Sequence, residues 1–96
     1  MSQQVVVTTN SNTEFKPLVK AAIENEKKAL RHGIARTKKH IAELEKKYGM
    51  SSIKFEEKYR AGEIEEDLEL ADWLMEITAL EILQEQVQAL SDARLD

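Results

Sequence analysis

Apolar side chains recur between residues 17 and 48 at steps of three, four and seven, the spacing of one face of an α-helix. The row consists of Ile23, Leu30, Ile34, Ile41, Leu44 and Tyr48, with Thr37 in its one uncharged polar slot. Pro17 suits the first turn of a helix, where its missing N–H has no intrahelical partner. The pattern therefore predicts a helix from Pro17 to about Tyr48 with the narrow seam of a coiled-coil arm. Two lysines on the seam, Lys20 and Lys27, predict weaker packing near its start.

A broader apolar row lies between residues 68 and 90 and predicts another long helix. Its main stripe is Leu70, Trp73, Leu74, Ile77, Leu80, Leu83, Val87 and Leu90. A second flank beside this stripe is Leu68, Ala71, Met75, Ala79 and Ile82. Because the two together are wider than the ~100° that faces one neighbour, we expect this helix to be buried against more than one partner. The acidic residues 65–67 predict that the helix starts there, because negative charge is favourable at the positive, N-terminal end of the helix dipole.

Two glycines, Gly49 and Gly62, bracket a short segment between the long rows. Each suits the left-handed position just past the end of a helix. Ser51 is a good N-cap residue, so the segment is predicted to be a short corner helix that reverses the chain. Its apolar side is expected to contain Met50, Ile53, Phe55 and Tyr59.

The N-terminal stretch Val5–Thr9 consists of β-branched residues and favours an extended strand. Because the sequence offers it no hairpin partner, we expect it to pair with a second copy or another protein, or to remain a frayed tail. Residues 10–13 have the composition of a turn or loop. The predicted organisation is an N-terminal arm over 1–13 and a helical hairpin over 14–96.

The predicted fold is all-α, with two long antiparallel helices joined by a short corner helix. A chain of 96 residues fits one domain, but two helices and a corner enclose little core. Association of two hairpins into a dimeric four-helix bundle would bury both stripes. We therefore expect a homo-oligomer, most simply a homodimer.

Composition narrows the possible classes of protein. The chain has no cysteine, hence no disulfide framework or thiolate chemistry. It has neither a long apolar run nor the start of a signal peptide, so no membrane partner is expected and a cytoplasmic protein is the simplest interpretation. No glycine-rich phosphate loop and no triad-like grouping of Ser, His and Asp is present.

Charge is distributed unevenly along the chain. Residues 1–60 carry 13 Lys and Arg against 7 Glu, whereas residues 61–96 carry one Arg against 11 acidic residues. We expect oppositely charged helices to neutralise each other across the hairpin. A pI near 5.2 and interleaved glutamates argue against a nucleic-acid partner for the basic half.

The most enzyme-like stretch contains Glu66, Glu69 and Asp72, three carboxylates at helical steps of three. Oxygen ligands of this kind suit Mg²⁺. The segment around Glu69 and Asp72 resembles the carboxylate-bearing helix of all-helical nucleotide pyrophosphohydrolases of the MazG type, which implies a Mg²⁺-dependent hydrolase. That family has a second acidic set on the preceding helix, whereas here Glu24, Glu26, Glu43 and Glu45 do not form its pattern. Helix capping is the structural alternative for the acidic residues.

Two histidines, His32 and His40, lie two turns apart with Glu43 close to the second, a possible metal site. On a lysine-rich helix the alternative is two surface histidines. The interpretation adopted is that the chain has no catalytic residue, no cofactor and no metal site.

Residues 44–73 resemble small bacterial and archaeal proteins that look like the non-toxic partner in toxin–antitoxin-like gene pairs. The resemblance rests on Lys47-Tyr48-Gly49-Met50-Ser51, Phe55, Tyr59, Gly62-Glu63, Asp67 and Trp73. It implies a non-catalytic protein that binds another protein, an antitoxin-like partner of a small toxin. The MazG-type hydrolase is the alternative.

Overall fold

The computed structural model describes residues 4–5 and 12–95 of the chain. Three helices follow one another: α1 (Asn12–Tyr48), α2 (Ser52–Arg60) and α3 (Leu68–Asp92). Two strands of two residues each, β1 (Gln4–Val5) and β2 (Arg94–Leu95), pair in parallel. The prediction of two long helices joined by a short one is confirmed, and the molecule is elongated, 60 × 22 × 18 Å.

Helix α1 begins at Asn12, five residues before the predicted start at Pro17. The prediction was wrong because proline was assigned to the first turn, where its missing N–H costs nothing. Pro17 instead lies inside the helix on the solvent side. There water can solvate the carbonyl group that loses its partner. Asn12 and Thr13, expected in the arm, belong to the helix.

The corner helix forms as predicted. Gly49 and Gly62 have φ angles of +63° and +73°, the left-handed conformation that ends α1 and α2. The N–H of the residue after each glycine donates to a carbonyl group in the last turn of the preceding helix. Met50 donates to the Glu45 carbonyl at 3.2 Å, and Glu63 donates to the Lys58 carbonyl at 2.9 Å.

Side-chain oxygens cap the starts of the two later helices. The Ser51 hydroxyl accepts from the Lys54 N–H at 3.2 Å at the start of α2, as expected. The Asp67 carboxylate accepts from the Glu69 N–H at 2.8 Å and caps α3. The predicted boundaries of α3 are therefore correct to within a few residues.

The long helices are antiparallel in a regular register. Gly33 lies against Leu83, His40 against Glu76, and Lys47 against Glu69. Each step of seven residues forward along α1 is a step of seven residues back along α3. This period is the one that keeps one face of each helix towards its neighbour.

The core is concentrated where the three helices meet. Leu44, Phe55 and Trp73 are buried there. Partly buried neighbours surround them: Tyr48, Met50, Tyr59, Ile64, Leu70, Leu74 and Ile77. Further along the predicted seam, Ile41 and Thr37 are also buried, so the threonine occupies a true seam position. Ile53 was expected on the apolar side of the corner helix but is 76% exposed, because only the face of α2 bearing Phe55 turns inward.

The predicted N-terminal strand is described only at its beginning. Gln4 pairs with Arg94 and Val5 with Leu95, so the partner of β1 is the chain's own C-terminal segment. The partners expected from the sequence, a second copy or another protein, did not include that segment. Residues 6–9, which carry most of the predicted strand, lie outside the described residues. Pairing of the arm with another chain stays a prediction.

Candidate interaction surface

The aromatic cluster fixes how α2 and α3 are placed. Trp73 contacts two other rings: Phe55 stacks on it at 4.0 Å between centroids, and Tyr48 stacks at 5.7 Å. The indole Nε1–H of Trp73 donates to the Ser52 hydroxyl at 3.0 Å. Its ring is fully buried and its one polar atom is satisfied, so Trp73 is a core residue, as predicted.

A polar cluster closes the same end of the hairpin. Lys47 and Tyr48, at the end of α1, both donate to Oε1 of Glu69 on α3, with Lys47 Nζ at 2.6 Å. These hydrogen bonds hold the pKa of the Glu69 carboxyl below its ordinary value. The same contacts raise the pKa values of Lys47 and Tyr48. This partly exposed cluster of hydrogen bonds connects the end of α1 to the start of α3.

Glu45 also stabilises the corner. Its Oε2 accepts from the Ser52 N–H at 2.7 Å, which places negative charge at the positive end of α2. The roles of Glu45, Ser52 and Lys47 in these contacts were not predictable from the sequence. Local spacing gives no signal for contacts whose partners lie 7 to 22 residues away.

The three carboxylates of the enzyme-like stretch are not equivalent. Glu66 precedes the N-cap residue Asp67 and lies outside α3, so the predicted single helical face is wrong for it. Glu69 is bound by Lys47 and Tyr48, and Asp72 is exposed. Within residues 4–5 and 12–95, no three His, Cys, Asp or Glu side chains are grouped so that they could hold a metal ion.

The two histidines are both exposed on α1. His40 faces across the hairpin, with Nδ1 3.7 Å from Oε2 of Glu76 on α3. The expected neighbour Glu43 is exposed, and the carboxylate that His40 meets within the described part of the chain is that of Glu76. His40 therefore belongs to the contact between α1 and α3.

An apolar row lies on the outer side of α3. Leu68, Met75 and Ile82 follow one another at steps of seven and are 87%, 67% and 49% exposed. Half-buried Ala71 and Ala79 lie beside them. These five residues, predicted as a second flank, are called the outer flank of α3 below. Met75 is two residues, about 200°, from buried Trp73, so the flank lies on the side of the helix away from the core.

The surroundings of the outer flank are acidic. Between Ala61 and Ala93 the sequence contains no Lys, Arg or His. Exposed Asp72, Glu81 and Glu85 border the flank on its two sides. An apolar row with acidic edges favours a partner that brings apolar contacts and positive charge together.

A shallow hollow adjoins the N-terminal end of the outer flank. Its volume is about 350 Å³, and it is lined by Tyr59, Glu66, Asp67, Leu68 and Ala71. The hollow is open to solvent and mixes apolar with acidic groups. It can receive a side chain from a partner that lies along α3.

Comparison with models of protein families gives a match. A family model described as "Uncharacterized protein MJ0235 family" matches residues 2–93. No curated protein and no solved structure matches significantly. The family match agrees with the expected resemblance to small uncharacterised proteins.

Within the described residues, no helix is long and apolar enough to cross a membrane.

Proposed function

The chain belongs to the uncharacterized protein MJ0235 family, and we propose that it acts by binding other proteins and not by catalysis. The binding surface is the outer flank of α3. The observation that carries this proposal is the exposure of Leu68, Met75 and Ile82 in one row, on a helix that packs against α1 through other residues. Each Å² of apolar surface removed from water favours association by about 25 cal/mol.

The spacing of the flank suits a helix laid alongside α3. Anchors at steps of seven match the recognition of one helix by another, in which apolar side chains of one enter spaces on the other. The small side chains of Ala71 and Ala79 allow a partner backbone to approach closely. The coiled-coil arm predicted from the sequence concerns the seam of α1, and the contact proposed here at the outer flank of α3 is a separate one.

Self-association is one use of the surface. The buried cluster of Leu44, Phe55 and Trp73 occupies one end of the hairpin. Further along, Leu30, Ile34 and other apolar residues of the α1–α3 seam are only half-buried. Because a core of this size buries little apolar surface, association with a partner would stabilise the fold. We propose a homo-oligomer whose simplest form is a dimer with four long helices.

Antitoxin-like binding is the specific form proposed for a second protein. An acidic surface with an apolar centre can cover a basic surface of a toxin, and the charges would steer the encounter. The resemblance that suggests this role rests on residues such as Tyr48, Phe55 and Trp73, which form the buried corner. The resemblance therefore supports a shared architecture. The argument for the binding role comes from the exposed outer flank of α3.

The test is binding of the purified protein encoded by the neighbouring gene, measured by isothermal titration calorimetry. Met75→Glu places a charge at the centre of the flank and should weaken binding at least about tenfold. Gln84→Glu is the matched control, because it adds the same charge on the opposite, exposed side of α3. Equal binding by wild type and Met75→Glu would contradict the proposal.

The Mg²⁺-dependent hydrolase remains the competing candidate. Its test is release of pyrophosphate from a panel of nucleoside triphosphates with Mg²⁺. Turnover that disappears in both Glu69→Gln and Asp72→Asn would replace the binding proposal. Because Lys47 and Tyr48 already bind the Glu69 carboxylate, we expect no such turnover.

A further inference from the structure

The sequence of α1 contains a segment whose charge is the inverse of that around the outer flank. Residues 27–42, called the basic segment below, contain six Lys or Arg and no Asp or Glu. Residues 61–93 contain no Lys, Arg or His. The basic segment of α1 and the whole of α3 therefore carry opposite charge.

The hairpin itself uses little of this complementarity. Between described side chains, one Lys or Arg ion pair joins α1 to α3, Lys47 with Glu69, and His40 Nδ1 lies 3.7 Å from Oε2 of Glu76. Within the basic segment, Lys27 pairs with Glu24 of its own helix. Among the described residues the predicted neutralisation across the hairpin thus rests on Lys47 and Glu69, and most other charged residues of the basic segment are exposed.

The basic segment presents its charge on the outer side of α1. Lys28 and Lys39 are exposed and lie eleven residues apart, close to three helical turns. The seam residues Thr37 and Ile41 are buried towards α3. An exposed alanine, Ala35, lies between the two lysines. The outer side of α1 is therefore basic, with low relief at its centre.

We infer that a second copy of this chain covers the outer flank of α3, through the basic segment of its α1. Lysine side chains can lay their apolar stems across Met75 and direct their ammonium groups to Asp72 and Glu85. The inference rests on the proposed function, because it takes the outer flank to be a protein-binding surface. It adds which surface binds there.

The contact is head to tail. The outer flank lies on α3 and the basic segment on the outer side of α1, so each copy offers two different surfaces to its neighbours. Two outer flanks facing each other would instead bring Asp72, Glu81 and Glu85 towards the same residues of a second copy. Like charges at close range disfavour that arrangement. A basic protein partner would compete with the second copy for the same flank.

Complementing variants test this directly. Met75→Glu damages the flank and leaves the basic segment intact, and a Lys28→Glu, Lys39→Glu double variant does the reverse. We expect each variant alone to sediment as a monomer of 11.0 kDa. An equimolar mixture should form a one-to-one dimer, since each supplies the surface that the other lacks. The dimer should weaken as salt is raised.

The controls separate this inference from the proposed function. Gln84→Glu should associate like wild type, and circular dichroism should give every variant the same helix content. A Lys28→Gln, Lys39→Gln variant replaces the charge-reversed form if that form does not fold.

Self-association of the lysine variants to the same extent as wild type would overturn the inference in favour of paired flanks. A mixture that stays monomeric, or a monomeric wild type, would also overturn it. Calorimetry with the neighbouring gene's protein would still decide the binding proposal separately.

Discussion

Phe55 and Trp73 stack face to face, with ring centroids 4.0 Å apart and ring planes within 1° of parallel. One ring comes from α2 and the other from α3, and both are fully buried. The corner helix is therefore attached to α3 by a continuous aromatic contact. This contact closes the end of the hairpin and leaves the outer flank of α3 uncovered.

Removing the Phe55 ring should destabilise the fold more than any exposed substitution. Phe55→Ala leaves a cavity against Trp73 and should lower the free energy of unfolding by about 3–5 kcal/mol. Urea unfolding followed by the fluorescence of Trp73, the sole tryptophan, measures the change. Ile53→Ala, on the exposed side of the same helix, is the control and should change it by less than about 0.5 kcal/mol. Equal effects would show that the stack does not hold the corner.

The glycines of the corner should resist β-branched replacements. Gly49→Val and Gly62→Val should each destabilise by roughly 1–2 kcal/mol, because both φ angles are positive. A Cβ atom at either position would meet no atom within 4 Å, so the cost is that of the backbone alone. Asparagine tolerates this conformation and should cost less. Melting temperatures unchanged in both valine variants would contradict the assigned caps.

A third glycine should respond in the opposite direction. Gly33 lies inside α1, and an added Cβ would make ordinary contact with Leu83, at 3.6 Å from its nearest methyl carbon. Gly33→Ala should therefore raise the free energy of unfolding by about 1 kcal/mol through helix propensity. A loss of stability in thermal unfolding would mean that α1 and α3 approach more closely there than described.

Stability should depend on the ionisation of Glu69 in acid. Hydrogen bonds from Lys47 and Tyr48 lower the pKa of this carboxyl in the folded chain, so the ionised form stabilises the fold. That contribution is present above the unfolded pKa of about 4.3 and is lost as the pH falls through the lower folded pKa.

The measurement is the difference in unfolding free energy between wild type and Glu69→Gln, followed from pH 7 downwards. The difference should be constant near neutrality and shrink below about pH 4. In Tyr48→Phe, which lacks one of the two donors, the shrinkage should be smaller and should end at a higher pH, because the folded pKa of Glu69 is lowered less. A difference that stays constant throughout this range would contradict the assigned hydrogen bonds.

The long-range architecture was predictable because it depends on local repeats. The seam from Ile23 to Tyr48 and the two glycines specify where the helices run and where the chain turns. The outer flank was also identified from the sequence, through Leu68, Met75 and Ile82. Its exposure was not, since spacing alone indicates an apolar face without saying what covers it.

The contacts that hold the corner could not be read from the sequence. Glu69 was interpreted as half of an acidic pair, yet its partners are Lys47 and Tyr48 on α1. Such partners depend on the register of the hairpin, which periodicity leaves open. The start of α1 was misplaced for a different reason: a helix tolerates proline beyond its first turn where the lost hydrogen bond faces water.

Sedimentation equilibrium of wild type and Met75→Glu over a wide concentration range tests most directly whether the outer flank binds protein. We predict that the average mass of wild type rises above 11.0 kDa with concentration, and that Gln84→Glu behaves in the same way. Met75→Glu should remain at 11.0 kDa with an unchanged melting temperature. Wild type that stays at the monomer mass throughout, or Met75→Glu that associates equally well, would contradict the account.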